Sequence, residues 1–146
     1  MQQFQPKIVV FSCNWCFCAG SDPAEMLGLA PNSNTKLVRT MCSGRVEPSF
    51  IMEAFANGAD GVMVTGCHPG DCHYNSGNYK TLRRMTLLQN MIKQMGIEPG
   101  RFKLQWIATE EKGKFKQSVS DFAKGIAKLG PLGYDEEVKK VARAVA

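Results

Sequence analysis

Gly61-Val-Met-Val-Thr65 runs directly into Gly66-Cys-His-Pro-Gly-Asp-Cys-His73. The first five residues are almost uninterruptedly apolar, as a strand buried on both faces of a parallel sheet should be. The next eight put two cysteines and two histidines into the loop at that strand's carboxyl end. Working outward, Lys7–Ser12 (KIVVFS), Thr35–Met41 (TKLVRTM) and Arg101–Ala108 (RFKLQWIA) read as three further strands. Pro48 opens a helix with Phe50, Ile51, Ala54 and Phe55 at helical spacing, and Gly58 stops it. A longer helix is expected over Tyr79–Met95, with Leu82, Met85, Leu88, Met91, Ile92 and Met95 as its apolar face and Gly96 as its end. Another is expected over Glu110–Leu129, carrying Phe115, Val119, Phe122, Ile126 and Leu129. Shorter helices are expected from Asp22 to Gly28 and over Asp135–Val145.

Strands alternating with helices predict an α/β fold. The expectation is a single domain over residues 1–130, flavodoxin-like, with a mainly parallel four-stranded sheet flanked by helices. Gly130-Pro-Leu-Gly133 sets off a C-terminal helical tail, 131–146, suited to packing on a partner. With 146 residues the chain can bury roughly two thirds of its unfolded surface and needs no staples. Hydrophobic residues at 44% and charged residues at 21% exclude a disordered chain. The longest apolar runs, such as Ile8 to Phe11, fall far short of the about 20 residues that span a bilayer. A formal charge of +5 is mild, and no nucleic-acid-reading module, GxGxxG or Walker A sequence is present.

The cysteines are the unusual feature. Cys13, Cys16, Cys18, Cys42, Cys67 and Cys72 all lie in the first half, and both histidines, His68 and His73, directly follow a cysteine. A secreted disulfide scaffold spreads its cysteines over the whole domain. This clustering, with no signal-peptide pattern at the N-terminus, points to reduced thiols and a cytoplasmic location. Cys13 follows the first strand, Cys42 the second, and Cys67 and Cys72 the third. Ligands of open α/β sheets bind at the carboxyl ends of strands, and neighbouring strands are about 4.8 Å apart. If those three strands are adjacent, the thiols converge on one rim. Such a set suits zinc, a [2Fe–2S] or a [4Fe–4S] cluster, and spacing does not choose among them. Gly66 and Gly70 are expected to let backbone amides approach the sulfurs.

Other readings compete. Cys13-Asn-Trp-Cys16 has the spacing of a thiol–disulfide oxidoreductase, and a structural zinc adaptor would use the same thiols. Cys18 crowds Cys16 and reads as a bystander. His68 and His73 read as loop residues rather than ligands, Trp15 as a shield or as packing, and Met85, Met91 and Met95 as core.

Four stretches together have a recognisable pattern: Cys13-Asn-Trp-Cys16, Met41-Cys-Ser-Gly-Arg-Val46, Gly58-Ala-Asp-Gly-Val62, and Gly66-Cys-His-Pro-Gly-Asp-Cys-His-Tyr74 with Gly77-Asn78. They resemble the delta, iron–sulfur subunit of F420-non-reducing (methyl-viologen-reducing) hydrogenases, which accompanies heterodisulfide reductase. The resemblance runs from about Lys7 to Phe122. It implies a [2Fe–2S] cluster held by four of Cys13, Cys16, Cys42, Cys67 and Cys72, with Cys13 or Cys16 the first to be left out. It implies a relay without catalysis of its own. Electrons from a hydrogenase small subunit, or from a formate dehydrogenase, pass to the FAD- and iron–sulfur-containing A subunit of heterodisulfide reductase. There the flavin bifurcates them in methanogenesis. Arg45, His68 and His73, beside the motif cysteines, are placed to bind near the cofactor, raise its potential or dock a partner. No direct membrane insertion and no nucleic acid are implied. Cys18 departs from the family pattern, where an aromatic residue is common.

Overall fold

The computed structural model of the chain describes residues 4–16 and 34–133. The expected helices at 22–28 and 135–145, the tail beyond 133, and Cys18 lie outside the described residues. Within them the elements are β1 (Ile8–Cys13), β2 (Thr35–Thr40), α1 (Pro48–Ala56), β3 (Gly61–Gly66), α2 (Gly77–Gln94), β4 (Phe102–Trp106) and α3 (Lys112–Leu129), with single 3-10 turns at Ser43–Arg45 and Pro99–Arg101. All strand pairs are parallel, in the order β2-β1-β3-β4. The α/β class and the four-stranded parallel sheet are as the sequence predicts.

Alternation along the strands divides the core into two layers. Ile8, Val10 and Met63 point to one side and pack against Phe115, Val119, Phe122 and Ile126 of α3. Phe11, Val62 and Val64 point to the other and pack against Ile51 and Phe55 of α1 and Met85, Leu88 and Ile92 of α2. Each such buried side chain contributes roughly 1.5–3 kcal/mol. Gly58 and Gly96 end their helices with φ of 91° and 81°, conformations that cost other residues a steric penalty.

The long helix differs from expectation in its start and its face. It begins at Gly77, and its buried stripe is Asn78, Thr81, Met85, Leu88 and Ile92. Leu82, Met91 and Met95 are 39%, 48% and 59% exposed, so of the three expected core methionines only Met85 is buried. A hydrophobic count favoured the wrong stripe because the true one carries two polar residues at the site end. Leu129 of α3 is likewise exposed.

Arg101, expected to start the fourth strand, is instead a buried cation in the preceding 3-10 turn. Its guanidinium pairs with Glu98 and donates to the carbonyls of Asp60 (3.1 Å), Gly130 (3.0 Å) and Leu129 (3.5 Å). Asp60 in turn accepts from the amides of Lys7 (2.8 Å) and Leu132 (2.9 Å). This network ties the amino ends of β1 and β3 to the end of α3, opposite the cysteines. Among the described residues no helix is long and apolar enough to cross a membrane.

Arg101→Ala removes a charged donor from three carbonyls. It is expected to cost roughly 3 kcal/mol of stability, seen as a lower denaturation midpoint with an unchanged m-value. Arg101→Lys should recover only part of the loss.

Candidate metal centre

The order β2-β1-β3 meets the condition set by the sequence, that the three cysteine-bearing strands be adjacent. Cys13 ends β1, opposite Thr40 of β2. The Asn14 amide donates to the Thr40 carbonyl at 2.7 Å, and a turn then returns the chain to Cys16. Cys67 directly follows β3, and Cys42 lies two residues beyond β2. Five thiols, those of Cys13, Cys16, Cys42, Cys67 and Cys72, are free and buried.

They divide into a triad and a pair. The sulfurs of Cys13, Cys16 and Cys67 all lie within 4.8 Å of one another, and Cys16 donates to Cys67 at 3.0 Å. Cys42 and Cys72 stand 3.8 Å apart. Two thiolates on one tetrahedral ion at about 2.3 Å each would sit about 3.8 Å apart. The pair already has that spacing; the triad has to open slightly. Both Cys13 and Cys16 belong to the triad, so neither stands apart from the site.

The protonation pattern reflects the crowding. Hydrogen bonds from Cys16 and then Cys67 hold the Cys13 thiol down at about 2. The same contact with Cys13 pushes Cys16 far up, and Cys67 up to about 12. Crowding therefore favours the thiolate at Cys13 and disfavours it at Cys16 and Cys67. Burial raises Cys42 against a bond from the Gly44 amide. Burial also opposes ionisation of Cys72, but the amides of Asn78, Tyr74 and Gly77 outweigh it and leave that thiol lowered.

Those amides belong to the start of α2 and the turn before it, where unpaired N–H groups favour a negative sulfur. Gly66 and Gly70, from which the sequence led us to expect this, do something else. A Cβ at Gly66 would meet Ser43 Oγ at 2.7 Å, and Gly70 lies at φ 101° in open space. The residue that lets backbone reach sulfur is Gly77. A Cβ there would overlap the Cys42 sulfur and lie 3.1 Å from that of Cys72. Gly44 faces it, where a Cβ would fall 2.8 Å from the Gly77 carbonyl oxygen.

Buried polar groups fix the frame around the thiols. Thr81 Oγ1 lies 2.9 Å from Ser43 Oγ, and Thr65 Oγ1 lies 3.1 Å from Ser12 Oγ. Asn78 Nδ2 donates to the carbonyls of His68 (2.7 Å) and Cys67 (3.3 Å), holding the Cys67 loop against α2. Its Oδ1 is buried with no partner among the described residues. Ser43, Gly77, Asn78 and Thr81 were not singled out as site residues from sequence. The only signal was the Gly77-Asn78 dipeptide after the second cysteine loop.

Neither histidine joins the thiols. His68 Nε2 contacts Glu111 Oε2 at 2.9 Å. The Ala108 amide, then His68 and Lys114, hold the Glu111 carboxyl down at about 2. His73 stacks on Trp15 with centroids 3.9 Å apart and planes 10° from parallel. Trp15 Nε1 also donates to the Tyr74 hydroxyl at 2.9 Å. This aromatic clasp joins the Cys13–Cys16 turn to the Cys72 loop. Arg45 is exposed and lines a cavity beside Cys42.

Residues 8–130 match the family described as methyl-viologen-reducing hydrogenase, delta subunit. The chain belongs to that family. It is 48% identical over 134 residues to the D, iron–sulfur subunit of the F420-non-reducing hydrogenase of Archaeoglobus profundus, covering 92% of this chain and 98% of that one. It is 44% identical over 140 residues to the D, iron–sulfur subunit of the vhc F420-non-reducing hydrogenase of Methanococcus voltae, covering 96% and 97%. A different relative is the A subunit of the Ferredoxin/F(420)H(2)-dependent CoB-CoM heterodisulfide reductase of Methanosarcina acetivorans. There the identity is 41% over 128 residues, spanning 88% of this chain but 16% of the relative. In that protein the delta-subunit sequence is one part of a much longer chain.

Gly77→Ala should drive the start of α2 off the Cys42 and Cys72 sulfurs and weaken metal retention by at least about tenfold, read as metal per chain after anaerobic gel filtration. Gly125→Ala, in open space on α3, should keep the metal and add up to about 1 kcal/mol of stability. In the metal-free chain, Zn²⁺ uptake should release protons from the ligand thiols that burial and crowding keep protonated, Cys42 among them, so that apparent affinity rises from pH 6.5 to 8.5. Calorimetry in buffers of different ionisation enthalpy measures this.

Proposed function

We propose that this chain is an iron–sulfur electron-transfer subunit, without catalysis of its own, working beside a heterodisulfide reductase. The observation that carries the reading is the convergence of five buried thiols at three adjacent strand ends, with a helix start pressed against two of them. The donor set is all sulfur and fits an iron–sulfur group. A [2Fe–2S] cluster would be held by Cys42 and Cys72 with two of Cys13, Cys16 and Cys67. When bound, it supplies a one-electron redox site whose potential depends on amide hydrogen bonds and burial.

The chain's own residues do the rest. Amides of Tyr74, Gly77 and Asn78 stabilise negative charge on Cys72. The Trp15–His73 stack ties the two cysteine-bearing loops together beside the site. Asn78 fixes the loop that carries Cys67. The relatives support the partners. One group is named as hydrogenase iron–sulfur subunits, and the other carries a similar sequence within the A subunit of heterodisulfide reductase. In this reading electrons come from a hydrogenase or a formate dehydrogenase. They pass to the FAD-containing A subunit, where bifurcation between heterodisulfide and ferredoxin takes place in the cytoplasm. The tail at 131–146 is part of the docking apparatus.

A thiol–disulfide oxidoreductase using Cys13 and Cys16 fits less well. These residues are 1% and 2% exposed, and the sulfur 3.0 Å from Cys16 is that of Cys67. A substrate disulfide has no access to them.

Anaerobically purified protein should be brown, with about two irons and two sulfides per chain and an S = 1/2 signal on reduction. Colourless protein carrying one zinc per chain would sink the proposal in favour of a structural adaptor. Cys42→Ser and Cys72→Ser should each abolish or strongly alter the signal.

A further inference from the structure

Beside the thiols lies a cavity of about 530 Å³ whose walls include Met41, Cys42, Arg45, Tyr74, Lys80 and Arg84. Cys42 is the one candidate ligand among its lining residues, so the recess reaches the thiols at that residue. Tyr74 in its wall also belongs to the aromatic clasp with Trp15 and His73, which therefore adjoins the recess.

The cavity's charge is one-sided. Arg45, Lys80 and Arg84 face a single carboxylate, Glu47. Arg84 is held in place: its Nη1 donates to the Gly44 carbonyl at 2.9 Å and to Glu47 Oε1 at 3.0 Å. Both bonds leave from one nitrogen, so the rest of the guanidinium fork keeps its donors. Arg45 and Lys80 are exposed and have no carboxylate partner among the described residues. Two unpaired cations and a preorganised third, around a recess with Met41 and Tyr74 at 56% and 47% exposure, form a site for carboxylates with an apolar rim.

We propose that this cavity is the docking site for a carboxylate-bearing surface segment of the electron-accepting A-type subunit. Its acidic side chains pair with Arg45, Lys80 and the open side of Arg84 and bring the acceptor's redox group up to Cys42. The proposal rests on the iron–sulfur reading of the cysteines. The choice of partner follows from the fused relatives. In relatives a segment 40–41% identical to this chain lies within the A subunit of a heterodisulfide reductase and is held beside it by the chain itself, and a separate chain needs a built contact to achieve the same. Charge pairing supplies that register and a fast approach, and it weakens with salt.

The test uses the full, cluster-loaded chain and its purified A-type subunit, with binding measured by biolayer interferometry at 50 and 300 mM salt. Wild-type iron content and reduction by the donor are scored first, and failure there counts against the electron-transfer reading rather than this one. Lys80→Glu and Arg45→Glu, compared with wild type at matched iron content, should each lose about tenfold in affinity at low salt. Most of the wild type's salt dependence should go with it. Lys80→Arg should bind as wild type does. Charge-reversed variants that bind the A-type subunit with unchanged affinity and salt slope would overturn the assignment. So would variants that lose only their reduction by the hydrogenase, which would give the face to the donor. Self-association of wild type that these substitutions abolish would give it to a second copy, and would also overturn it.

Discussion

No side chain fits between the first turn of α2 and the sulfurs of Cys42 and Cys72, and the geometry of the centre follows from that constraint. Gly77 is the residue at the contact, and Gly44 meets it from the other side, so two backbones touch where side chains would ordinarily separate them. The close approach turns the amides of the helix start toward Cys72 and lowers its thiol despite burial. It also sets the buried stripe of the helix. Asn78, the next residue, and Thr81, one turn along, are drawn inward to hold the Cys67 loop and Ser43. A helix packed by hydrophobicity alone would have turned Leu82 inward instead.

The sheet supplies the other half of the arrangement. With β1 in the middle of β2-β1-β3, strand ends that are far apart in sequence become neighbours. Each delivers at least one thiol without any long-range side-chain reach. The result is asymmetric. Three thiols crowd together on the β1–β3 side, and two stand at metal-ligand spacing on the side of β2 and α2. The aromatic clasp of Trp15 and His73 and the basic recess beside Cys42 adjoin each other through Tyr74.

A buried charged network closes the far end of the sheet. Arg101 and Asp60 join the amino ends of β1 and β3 to the end of α3 through charged bonds to carbonyls and amides. The cysteine end instead holds a crowded set of thiols and, among the described residues, a buried acceptor without a partner, Asn78 Oδ1.

The amino-acid sequence by itself determined the alternation of strands and helices, the parallel sheet, the five thiols that matter among the described residues, and the family. These are legible because they depend on local periodicity, on residue type, and on motifs a few residues long. The GCHPGDCHY block is such a motif. Only the tertiary structure decided how the thiols divide and which glycine admits the backbone. It also decided where the histidines go and why Arg101 is buried. Each of these turns on a contact between segments distant in the chain: Gly77 with Cys42, His68 with Glu111, Trp15 with His73, Arg101 with Asp60 and Gly130. A glycine reads the same whether it faces solvent, as Gly70 does, or a sulfur, as Gly77 does. The difference is the neighbour that folding brings to it.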